Sequence, residues 1–188
     1  MTLLTLHAVR LLGFADTQAV AARFAQDTGL VEAQLIDAGV NGFVSRSTFA
    51  GFSGWSLSGA GRVENEQLLA DELDRTGARS LVLAVHDDFA ESNTGVVSAC
   101  GAIQLQAPIS ADAMHLLAEA VAAWRPLEAR LIEVLPRFEG YSGRFQHALQ
   151  QAARDSAWIT ATDRDSFHRA WFELHEDLIA TLGIQRGL

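Results

Sequence analysis

Lysine is absent from this chain: all 14 basic residues among its 188 are arginine. We read that bias as codon usage in a GC-rich genome, not as chemistry. Cysteine occurs once, at Cys100, so no intrachain disulfide can form and a reducing cytoplasm fits. No segment approaches ~20 uninterrupted apolar residues, and no basic stretch followed by an apolar run opens the chain. Both absences predict a soluble, untargeted protein with no membrane association. Missing too are a Walker loop, a G-x-S-x-G elbow, Cys/His zinc spacing and a Rossmann glycine fingerprint. The sequence therefore offers nothing positive for an enzyme, a cofactor or a metal centre.

What is present is a large apolar fraction, 49%, enough for one medium core or two small ones. The net charge is −9. A chain of that charge repels the phosphate backbone at long range. The charge is uneven, however. Up to residue 62, Arg10, Arg23, Arg46 and Arg62 balance Asp16, Asp27, Glu32 and Asp37, so the whole excess lies later. Glu64, Glu66, Asp71, Glu72 and Asp74 read as the solvated face of a helix.

Leu3, Leu4, Leu6, Val9, Leu11 and Leu12 predict a first helix that ends at Gly13. Asp16 or Thr17 can cap a second, running to about Phe24. Asp27-Thr28 can cap a third, with Val31, Leu35 and Ala38 spaced for burial. Phe43–Phe49 and Gly54–Leu57 read as strands around a turn at Ala50–Ser53. Ser58 caps a fourth helix, which stops near Gly77. This is the element order of a winged helix-turn-helix. The remainder reads as helical: Ala78–Asn93, a Gly95–Pro108 stretch ambiguous between strand and helix, a long helix from Ser110 or Asp112 to Leu135 kinked at Pro126, Ser142–Arg154, and a last helix from Asp163 or Asp165 to Gly183. The expected fold is mainly α with a small β-wing, divided into a winged helix-turn-helix over residues 1–76 and a helical domain over 77–188.

On that plan the third helix carries Thr28 and Gln34 toward DNA, and Gln34 has the chemistry to read adenine. Glu32 and Asp37, expected outside with it, would repel phosphates, and this helix has no arginine. Ser45, Arg46, Ser47 and Thr48 in the wing are placed for a minor groove or phosphates. Arg62 opens a helix whose free N–H groups favour an anion.

Leu11-Leu12-Gly13-Phe14-Ala15, Ala19-Val20-Ala21-Ala22, Gly42-Phe43-Val44 and Gly54-Trp55-Ser56-Leu57 with Gly61-Arg62 resemble MarR-like winged-helix transcriptional regulators of actinobacterial type. The run Asp165-Ser166-Phe167-His168, Trp171-Phe172-Glu173-Leu174-His175-Glu176-Asp177-Leu178 and Thr181-Leu182-Gly183 looks like the end of the same sort of protein. The resemblance implies a DNA-binding regulator acting on double-stranded DNA as a homodimer, with the helical domain mediating dimerisation, small-molecule sensing or both. The chain departs from the pattern between the second and third helices. Such domains often have Thr-Gly-Leu there, and this chain has Phe24-Ala25-Gln26. The missing positive charge keeps an alternative in play: the same fold as a protein–protein interaction module without DNA binding.

On the last helix, His168 and His175 lie two turns apart on a face shared with Phe172 and Ile179, beside an apolar stripe of Phe167, Trp171, Leu174 and Leu178. Arg169, Glu173, Glu176 and Asp177 fall on the opposite, polar side. The seven-residue spacing of the histidines is wider than the four-residue helical pair of zinc proteases, so no metal is expected. Trp124, Tyr141, His168, Trp171 and His175 are candidates to border an effector cavity between this helix and the Ser110–Leu135 helix, against the alternative of ordinary core packing. Cys100, with no cation nearby in sequence, reads as structural.

Overall fold

The computed structural model describes residues 2–49, 51–105 and 110–184. It is mainly helical with one small three-stranded antiparallel sheet. The described residues form two compact units, 2–75 with 180–184, and 76–179. Ala50 of the expected turn, and the end of the ambiguous Gly95–Pro108 stretch, lie outside the described residues.

The first unit runs α1 (Leu3–Leu12), β1 (Phe14–Ala15), α2 (Thr17–Arg23), α3 (Thr28–Val40), β2 (Val44–Phe49), β3 (Phe52–Leu57) and α4 (Gly59–Thr76). Two aspartates start the middle helices. Asp16 Oδ1 accepts the Ala19 N–H at 2.8 Å, and Asp27 Oδ1 accepts the Leu30 N–H at 2.8 Å. The apolar faces of α1, α2 and α3 then close on Val44 and Trp55 to bury Leu6, Val9, Val20, Val31, Leu35 and Ala38. β3 is the central strand of the order β1–β3–β2. The β2–β3 register runs from Val44 opposite Leu57 to Phe49 opposite Phe52. β3 thus begins two residues before the expected Gly54, because the ladder continues through Ser53, whose hydroxyl bonds that of Thr48 at 2.7 Å. β1, with only two residues, is too short to show an alternation in sequence.

Two joints fix this unit. The first ends α2. Gln26 N–H donates to the Ala21 carbonyl at 2.9 Å and Ala25 N–H to the Ala22 carbonyl at 3.3 Å, the paired bonds of a left-handed helix terminus. Ala25 takes the left-handed position, φ 50°, which favours glycine. The second joint starts α4. The Ser58 hydroxyl donates to the Gly42 carbonyl at 2.6 Å and accepts the Gly61 N–H at 3.0 Å, while Ser58 N–H donates to the Phe43 carbonyl at 2.9 Å. Helix and strand approach so closely that a Cβ on Gly61 would stand 1.9 Å from the Phe43 oxygen. That contact is the physical reason for glycine at position 61.

The second unit holds α5 (Arg79–Leu105), α6 (Ala111–Ile132), a 3-10 turn Pro136–Phe138, α7 (Tyr141–Ala152), α8 (Ala157–Thr160) and α9 (Phe167–Leu182) up to Ile179. The ambiguity after Gly95 resolves as helix. Val82, Val85, Phe89, Val96, Ala99 and Cys100 form one buried stripe with helical spacing that passes Gly95 unbroken. Gly95 faces Leu116 of α6, whose nearest atom lies 3.3 Å from where a Cβ would sit. α6 starts where expected, with the Ser110 hydroxyl accepting the Ala113 N–H at 3.1 Å, and contains Pro126. It ends at Ile132, short of the expected Leu135. α9 starts at Phe167, capped by Ser166, rather than at Asp163 or Asp165. Those two aspartates are bonded to Arg164 and Arg144 instead.

The two joints make opposite predictions. Ala25→Gly should stabilise the chain by about 0.5–1 kcal/mol, since relief of the left-handed strain exceeds glycine's entropy cost. Gly61→Ala should destabilise it by about 2–3 kcal/mol, as an overpacked contact against backbone does. Urea-unfolding midpoints of both variants check the pair.

Candidate functional site

α3 and the β2–β3 hairpin carry the surface to which the sequence pointed. Val31, Leu35 and Ala38 face the core, as expected. The polar residues between them are less free than their positions suggested. The Gln34 amide oxygen accepts from the Thr2 hydroxyl at 2.8 Å and from the Thr5 hydroxyl, so this side chain is turned toward α1 and not outward. Glu32 accepts from the Thr17 hydroxyl, which itself accepts the Trp55 indole N–H at 3.1 Å. Glu32 also lies 3.9 Å from Arg46. A relay from β3 through α2 to α3 thus fixes the acid that was expected to stand outside.

The exposed positions of α3 are Thr28, Gly29, Leu30, Ala33, Ile36, Asp37 and Val40, and beside them Glu32 keeps 37% of its side chain exposed. Leu30 and Ile36 are each more than half exposed and Val40 is 84% exposed. No cation and no amide stands among them.

The wing is polar. Ser45, Arg46, Ser47 and Thr48 are all exposed, on a strand paired on one side only, by β3. Arg46 sits opposite Trp55 in the ladder and places its guanidinium 5.3 Å from the centre of that ring. Stacking of this kind leaves the N–H edges of the guanidinium available for other contacts. Arg62, on the first turn of α4, is also exposed.

In the second unit the aromatic candidates form one chain of ring contacts. Phe89 stacks on Trp171 at 4.9 Å and meets Trp124 edge-on at 6.2 Å. Trp124 meets Tyr141 edge-on at 6.4 Å, and Phe145 joins Tyr141, Phe167 and Trp171. The polar ends of two of these rings are already used: Tyr141 donates to Asp177 Oδ2 at 3.0 Å, and the Trp171 indole to Asn93 Oδ1 at 2.9 Å. The Trp124 indole nitrogen and the Ser142 hydroxyl are buried and meet no partner among the described residues. His175 is half-buried between Phe89 at 5.6 Å and His86 at 6.5 Å. The structure therefore brings Trp124, Trp171 and His175 onto Phe89, with Tyr141 one ring further, against Trp124. His168 is half-buried and has no ring contact or hydrogen bond to those four among the described residues.

The expected faces of α9 need correction. Glu173 and Asp177, assigned by spacing to the polar side, are 2% and 0% exposed, whereas Phe172 is 51% exposed. Cations explain the inversion. Asp177 is bonded to Arg137, and both side chains are sealed from solvent. Arg144 forks onto Asp165 at 2.8 and 2.9 Å and onto both Glu173 oxygens at 2.8 Å. Burial lowers the Arg144 pKa, but its hydrogen bonds to Asp165 and Glu173 outweigh that and raise it. A third acid, Glu128, is buried with both oxygens 3.2 Å from the Ser142 N–H, at the first turn of α7. There its charge meets the positive end of that helix. No periodicity count could find this network, because such counts assign every carboxylate to water.

Burial pushes the Cys100 thiol up to about 11, so it stays protonated at neutral pH. Among the described residues, no group of three or more His, Cys, Asp or Glu is placed to hold a metal ion, and no helix is long and apolar enough to cross a membrane. Comparison with family models, curated proteins and solved structures finds no match to this chain.

The buried pairs predict a steep penalty for removing one partner. Asp177→Ala should cost about 3–5 kcal/mol, because Arg137 would keep its charge in a sealed site. Tyr141→Phe, which removes one hydrogen bond to the same carboxylate, should cost about 1–2 kcal/mol. Thermal unfolding of the two variants checks the ranking, and equal losses would contradict it.

Proposed function

We propose that this chain is a DNA-binding transcriptional regulator of the cytoplasm. On this reading the first unit is a winged helix-turn-helix, with α3 as its recognition helix and β2–β3 as its wing. The observation that carries the reading is the element order α1–β1–α2–α3–β2–β3, with β1 and β2 on opposite sides of β3. The exposed hydroxyls of Ser45, Ser47 and Thr48, with Arg46 among them, support a phosphate contact on the wing. Two copies would act together, because such domains read half-sites about one helical turn apart. The helical unit would hold the copies together and sense an effector near Trp124, whose buried indole N–H has no acceptor among the described residues.

A second reading has its own observation. Leu30, Ile36 and Val40 stand exposed on α3, and an apolar helix face suits a protein partner as well as a groove. One titration separates the two. Full-length protein is added to labelled random-sequence duplex at two salt concentrations and followed by fluorescence anisotropy, with light scattering on the same sample. The regulator reading expects a dimer and binding that weakens with salt. Arg46→Ala should reduce the slope of log affinity against log salt by about one. Gln34→Ala should leave affinity nearly unchanged and lower stability by about 1 kcal/mol, since its bonds are to α1. No binding at either salt concentration leaves the protein-module reading.

A further inference from the structure

The open face of α3 holds chemistry that narrows the kind of DNA it fits. This step rests on the regulator reading above. Each base pair presents its own pattern in the major groove. Guanine offers two acceptors, which require donors, and thymine alone offers an apolar group, its methyl. Among the exposed residues of α3, Thr28 supplies the one side-chain donor. Gln34, whose amide would suit adenine, is bonded to Thr2 and Thr5. Arg46 lies on the wing and not on α3, with its guanidinium over Trp55 and 3.9 Å from Glu32. Asp37 is an acceptor and suits an exposed base amino group. Leu30, Ala33, Ile36 and Val40 are aliphatic and stand on successive turns. From Leu30 to Val40 the helix axis advances about 15 Å, the length of four to five base pairs.

We propose that α3 recognises thymine methyl groups through Leu30, Ala33, Ile36 and Val40, and that the sequence this chain prefers is A·T-rich beneath that helix. A protein partner is the less favoured occupant. The face offers no aromatic or arginine anchor of the kind that dominates protein interfaces, and exposed wing hydroxyls lie on the neighbouring strand.

The test uses the full chain. Duplexes are first selected from a random pool. Thymine is then replaced by deoxyuridine, position by position, in the winning site, which removes the methyl and keeps the pairing. The expected result is an A·T-rich core in which each contacted methyl is worth about fourfold in affinity. Ile36→Ala, a change at a half-exposed position that the fold should tolerate, should abolish the thymine–uracil difference at one position and keep it at the others. A G·C-rich selected core, or unchanged affinity after uracil replacement throughout, overturns the inference while leaving DNA binding intact. Failure of every duplex to bind overturns the regulator reading, and this inference with it.

Discussion

A carboxylate taken out of water must find a cation or enough N–H donors, and in the helical unit this requirement governs the packing. Asp177 and Glu173 lie one turn apart on α9, both sealed from solvent, each held by its own arginine. Arg137 comes from the 3-10 turn after α6 and Arg144 from α7, so the two pairs tie α9 to the segments before it at fixed points. On the same helix, Trp171 and Phe167 continue the aromatic chain that begins at Phe89. Glu128 plays the same part at the start of α7, where it supplies the cap that Gly140 lacks. The charged residues Glu173 and Asp177 of the C-terminal run thus tie segments of this unit together.

In the first unit the same economy of polar groups shapes the surface. Gln34 and Glu32 spend their hydrogen bonds on Thr2, Thr5 and Thr17, which fasten α3 to α1 and α2. The exposed side chains are aliphatic, apart from Thr28 and Asp37, with Glu32 partly exposed beside them. That distribution is the reverse of the usual one for a helix that reads hydrogen-bond patterns on bases. On the regulator reading, it would move the electrostatic work to Arg46 and the wing and leave shape and methyl contact to α3.

Much of the fold was legible because its signals are local. Asp16, Asp27, Ser58 and Ser110 start helices by bonding a backbone N–H three residues on, a pattern visible in any window of four. The core positions of α3 follow helical spacing for the same reason. Long-range pairing was not legible. Nothing near Asp177 in sequence names Arg137, forty residues earlier, and nothing near Gln34 names Thr5. β1 becomes a strand only by pairing with β3, since two residues carry no periodicity. The departure at Phe24-Ala25-Gln26 was visible as a difference, and its meaning, an alanine held in glycine's left-handed conformation, needed the backbone.

The central claim is that α3 and the wing form the working surface and that the charged motif of α9 does not. Amide spectra of isotope-labelled full-length protein, titrated with duplex DNA at low salt, test it residue by residue. The account predicts shifts at Thr28–Val40 and at Ser45–Thr48, with the signals of Glu173–Asp177 unmoved at first order. Shifts that instead centre on α9 and the turn around Arg137, with α3 silent, would contradict it.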